Sequence, residues 1–96
     1  MSQLILISTS DRPLKPLVEA AIVNELRTLE TAIRISEQNV RELEIEYGMH
    51  TTEMIRRYEN DEIVESSDVE DWIGEQRLLE RLREKAAALR GIQFAN

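Results

Sequence analysis

Residues 16–47 read PLVEAAIVNELRTLETAIRISEQNVRELEIEY. Within that stretch Ile22, Leu26, Leu29, Ile33, Ser36, Val40, Leu43 and Tyr47 recur at alternating spacings of four and three, and only Ser36 interrupts the apolar row. The period is the 3.5 residues of a coiled-coil seam, shorter than the 3.6 of an isolated amphipathic helix. Pro16 suits the first turn of a helix, where its missing N–H costs nothing, and no Gly or Pro follows until Gly48. A helix over residues 16–47 would span about 48 Å, whereas a compact domain of this length is roughly 30 Å across. The sequence therefore predicts an elongated molecule.

Charge beside the seam selects its partner. With Leu26, Ile33, Val40 and Tyr47 as a positions, the flanks carry Glu25, Glu30, Glu37, Glu44 and Glu46. A parallel homodimer would set glutamate against glutamate. The last helical stretch has its own seam of Trp72, Glu75, Leu79, Leu82, Ala86 and Leu89, flanked by Arg83, Lys85 and Arg90. Antiparallel pairing sets Glu30, Glu37 and Glu44 near Arg83 and Arg90 and brings Tyr47 to Trp72. Charge then selects the register while apolar burial supplies the stability. The predicted fold is all-α: an antiparallel coiled-coil-like hairpin of a long, a short and a C-terminal helix, preceded by a short strand or arm.

Local signals bound the remaining elements. Gly48 suits the end of the long helix, and Met49-His50-Thr51-Thr52-Glu53 opens a short helix over 51–59. Asn60 to Ser67 is a polar, acidic linker. Ser67-Asp68-Val69-Glu70 has the spacing of a capping box, which starts a third helix over 68–90, ended by Gly91. Residues 1–15 hold Leu4-Ile5-Leu6-Ile7, an unbroken apolar run consistent with one buried strand or a hydrophobic tail. A lone strand in a helical chain must find its ladder in a second copy or another protein, or go without.

Two surfaces are candidates for partner binding. One is apolar: Leu4, Ile5, Leu6 and Ile7, with Leu17, Val18, Ile22 and Leu26, which the C-terminal helix is too short to cover. Self-association as a homodimer or larger, docking of another protein, or both, are expected there. The other is acidic. Glu59 to Glu75 carries eight acids without one Lys or Arg, in a 96-residue chain whose net charge is −7. Asp61, Glu62, Glu65 and Asp68 are its candidate contacts. Such a field repels nucleic-acid phosphate and anionic lipid and attracts basic protein surface.

Catalytic chemistry finds little material. No Gly-rich turn, G-x-S-x-G or P-loop is present to activate a nucleophile. The acidic run lacks the alternating ligands and central Gly of a Ca²⁺ loop, and His50 is the sole histidine. No enzyme activity, cofactor or metal is expected. Direct nucleic-acid binding is disfavoured, because Glu30–Arg34 and Glu37–Arg41 read as intrahelical i,i+4 pairs. Absent cysteine and a first segment too short for a signal or membrane span predict a cytoplasmic chain without a membrane partner.

The stretch Glu46-Tyr47-Gly48-Met49-His50-Thr51-Thr52-Glu53-Met54-Ile55, with Arg57-Tyr58-Glu59, the acidic linker, Asp68 and Trp72, resembles a group of small acidic helical proteins of cyanobacteria and archaea encoded beside toxin genes. The resemblance covers about residues 43–89. It implies an antitoxin-like protein that binds and neutralises a small basic partner. A structural adaptor or oligomerisation module without a toxin partner is the alternative.

Overall fold

In a computed structural model, which describes residues 1–95, the chain forms three helices: α1 (Leu14–Tyr47), α2 (Thr51–Glu59) and α3 (Ser67–Arg90). α1 and α3 pack as an antiparallel hairpin, and α2 folds back at the turn. The molecule measures 60 × 24 × 17 Å with a radius of gyration of 19.1 Å. A compact domain of this length would have a radius of about 12–13 Å. The breaker-free run of α1 is what stretches it.

α1 begins two residues earlier than its sequence suggests. Pro13 sits at its N-cap, and Pro16 falls in the first turn, where backbone N–H groups have no intrahelical acceptor and a proline removes nothing. Its end is a Schellman motif. Gly48 takes the left-handed conformation (φ 63°) and its N–H donates to the Ile45 carbonyl at 3.3 Å, while Met49 N–H reaches the Glu44 carbonyl at 3.2 Å. α3 is capped by Ser66 rather than Ser67. The Ser66 Oγ accepts from Val69 N–H at 3.2 Å, so the third helical position holds Val69 and no reciprocal capping box forms.

Every member of the α1 seam from Ile22 to Tyr47 is buried or half-buried, as is every member of the α3 seam from Trp72 to Leu89. Tyr47 meets Trp72 with ring centroids 5.6 Å apart at 41°. Arg83 pairs with Glu37 at 3.0 Å and Arg90 with Glu30 at 3.2 Å, the antiparallel register that the flanking charges predict. Glu30 and Glu37 turn across the hairpin to do so. Consequently the intrahelical pairs Glu30–Arg34 and Glu37–Arg41 do not form; Arg34 donates instead to Thr31 Oγ1.

The core is weighted to the turn end. Val40, Met54, Val69, Trp72 and Leu79 are buried together, with Ile33, Leu43, Tyr47, Met49, Ile55, Tyr58, Ile63 and Ile73 packed around them. Met54 closes the cluster from α2. Ser36, the one polar member of the α1 seam, is also buried. Its hydroxyl donates to Glu75 Oε2 at 2.8 Å, and Asn39 Nδ2 donates to Glu75 Oε1 at 3.1 Å. The polar positions of the two seams thus face each other, and sliding α3 by one turn would leave Ser36 and Glu75 against apolar side chains.

Leu4–Ile7 is an arm and not a strand: no strand forms among the described residues, because the chain offers no second strand to complete a ladder.

Candidate functional site

The two candidate surfaces lie at opposite ends of the hairpin. Leu17 and Tyr47 are separated along α1 by about 45 Å, so a small partner covering one end does not reach the other.

At the N-terminal end, a chain of serine turns joins the arm to α1. Ser10 N–H donates to Ser8 Oγ at 3.0 Å, and Arg12 N–H donates to Ser10 Oγ at 3.1 Å. Beyond them Leu4, Ile5 and Ile7 are 80, 86 and 90% exposed and Leu6 49%. Leu17 is exposed, while Val18, Ile22 and Leu26 are half-buried. Since Arg90 is level with Glu30, α1 continues past the end of α3 by about 24 Å. Part of that overhang is attended by the C-terminal tail, which the seam patterns did not anticipate. Lys15 Nζ lies 5.7 Å from the Phe94 ring centroid, so residues 91–95 run on from α3 toward the start of α1. Ile92 and Phe94 thereby join Leu17 and Val23 as exposed apolar groups at this end. The sequence signal for the tail was the alternating Ile92-Gln93-Phe94 after a helix-ending Gly91.

At the turn end the acidic residues separate into two kinds. Asp61 and Glu65 are exposed in the linker, with Asp61 in the left-handed region at φ 54°. Three of the others are engaged. Glu62 pairs with Arg56 at 3.2 Å, Asp68 accepts from the Tyr47 hydroxyl at 3.2 Å, and Glu75 sits in the polar layer of the hairpin. The linear stretch had no base within it, but folding brings Arg56 from α2 and the Tyr47 hydroxyl from α1. Arg56 and Arg57 also clamp Glu53, at 2.9 and 3.0 Å. Hydrogen bonds first from Arg56 and then from Arg57 pull the Glu53 carboxyl down from its ordinary value to about 2, and the Arg56 guanidinium is correspondingly held more firmly protonated.

Glu44 departs from its expected place in the row opposite Arg83 and Arg90. Its Oε2 accepts from both the N–H and the Oγ1 of Thr51, at 2.8 and 2.9 Å, and so orients the first turn of α2. The Thr51 Oγ1 in turn accepts from the buried Trp72 Nε1 at 2.9 Å. One hydroxyl thus connects α3, α2 and α1. His50 stands at the N-cap of α2 with its ring exposed, Nδ1 4.0 Å from Glu44 Oε2.

The surface of the described residues carries open grooves. The two best formed have volumes of about 230 and 200 Å³, below the range of about 300–1,000 Å³ in which pockets bury a small ligand. No three His, Asp or Glu side chains among the described residues are placed to share a metal ion. No helix among the described residues is long and apolar enough to cross a membrane. The chain matches no family model, no curated protein and no solved structure.

Proposed function

We propose that this chain is a protein-binding module of antitoxin-like character, which engages and neutralises a small basic partner protein. The observation that carries this reading is the exposure of Leu4, Ile5 and Ile7, three large aliphatic side chains of the arm that are each at least 80% exposed. Exposed Asp61 and Glu65 at the far end add a field that attracts cationic protein surface. Recovery of the tagged full-length chain from cells that make it naturally, followed by mass spectrometry, tests the reading. It expects one basic companion in stoichiometric amount. Recovery of the chain with no companion would sink it.

A second reading, an oligomerisation module, rests on a different observation. The seam through Val18, Ile22 and Leu26 continues past the end of α3, so a second copy could extend the hairpin interface there. Sedimentation at micromolar concentration should then show a homodimer that Ile22→Glu dissociates. A monomeric wild type would exclude this reading.

A further inference from the structure

We propose that the arm over Leu4–Ile7 is a donor strand, which binds by adding to the open edge of a β-sheet in the partner protein. The inference rests on the protein-binding reading above and specifies how the N-terminal end makes contact. Three observations converge on it. First, the four residues are aliphatic, two of them β-branched, and they lie outside every helix in a chain that forms no strand among its described residues. Secondly, no backbone hydrogen bond forms within the arm or from it to the helices, so its N–H and C=O groups stand ready for a ladder. Thirdly, a serine turn from Ser8 to Arg12 joins the arm to α1, at the end where Leu17 and Phe94 are also exposed.

The pattern of the arm decides between a second copy and a foreign sheet. In an extended chain Leu4 and Leu6 point to one face and Ile5 and Ile7 to the other, so the strand is apolar on both faces. That is the pattern of a strand covered on both sides, whereas a strand resting on a single support alternates apolar with polar residues. Two arms from two copies would make a ribbon of two four-residue strands. Such a ribbon is marginal in water, and packing it on the chain's own helices would cover one face only. A partner whose sheet has an uncovered edge and apolar layers on both faces supplies the ladder and both covers together.

The test uses the full chain carrying benzoylphenylalanine, a photo-crosslinking side chain, at Ile7 in one variant and at Glu65 in another, irradiated in cells that make the protein naturally. The expected result is a heterologous adduct at Ile7. In the purified complex alternate amides of Leu4–Ile7, those facing the partner's edge, should exchange at least about 100-fold more slowly than in the free chain. Proline scanning then separates a ladder from a greasy contact. Alternate N–H groups of an edge strand face its neighbour, so one of Ile5→Pro and Leu6→Pro should weaken the complex at least about tenfold more than alanine at the same position. Proline no worse than alanine at both positions, or arm amides that all exchange as fast in the complex as free, would overturn the donor strand. So would adducts joining two copies of the chain with protected arm amides and no other protein. A heterologous adduct at Glu65 without one at Ile7 rejects the strand but retains the binding module; no adduct at either position rejects both.

Discussion

Thr51 has the widest reach of any single residue in this fold. Its hydroxyl accepts from Trp72 and donates to Glu44, so a short helix of nine residues is fixed to both long ones through one oxygen. Thr51→Val keeps the shape and leaves the Trp72 N–H buried without an acceptor, which should cost about 1–3 kcal/mol. Urea unfolding reads this directly, and an unchanged midpoint would show that the relay contributes no stability. Burial likewise separates two leucines of the facing seams. Leu79 is buried and Leu43 half-buried. Leu79→Ala should therefore lose about 2–4 kcal/mol and Leu43→Ala clearly less. Equal losses would mean that the hairpin core is centred closer to Leu43.

Among the elements, α2 depends most on charge. Glu53, Arg56, Arg57 and Glu62 form an exposed network that ties α2 to the start of the linker. The Glu53 carboxyl is depressed from its ordinary value of 4.5 to about 2 in the fold. A depressed acid contributes stability that is fully present above its unfolded pKa and is lost as pH falls through the folded one. The window for Glu53 is thus from about pH 4.5 down to about pH 2. Amide exchange of α2 should accelerate across that window, beyond the change in intrinsic chemistry, and Glu53→Gln should remove the Glu53 part of the acceleration. Because the network is exposed, high salt should weaken it as well.

At the scale of the whole molecule, the separation of its two ends allows association to be dissected. Asp61 and Glu65 are exposed and outside the ion pairs of the fold, whereas Glu62 and Asp68 hold Arg56 and Tyr47. Asp61→Asn with Glu65→Gln is accordingly the clean test of electrostatic steering. The double variant should slow association with the basic partner while leaving dissociation nearly unchanged, and the wild-type on-rate should fall steeply between about 50 and 500 mM salt. An on-rate indifferent to salt and substitution would assign binding to the apolar end alone. Neutralising Asp68 too would confound the result, since it removes the acceptor of the Tyr47 hydroxyl and a first-turn acid of α3.

The hairpin was legible in the linear chain because its cause is periodic. A 3.5-residue row from Ile22 to Tyr47, a second from Trp72 to Leu89 and glutamate flanks opposite arginine flanks select antiparallel packing wherever they occur, and the helix breaks follow from Gly48, the acidic linker and Gly91. What tertiary structure decided are the polar partnerships. Long flexible side chains choose among several neighbours within reach, so Glu37 prefers Arg83 across the hairpin to Arg41 on its own helix, and Glu44 leaves the charge row for Thr51. Ser36 looked like a flaw in its seam until Glu75 stood opposite. The acidic run seemed unpaired because sequence distance hides the approach of Arg56 and Tyr47. Strand propensity in Leu4–Ile7 could be read residue by residue, but a strand exists only with a neighbour, and the fold of this chain provides none.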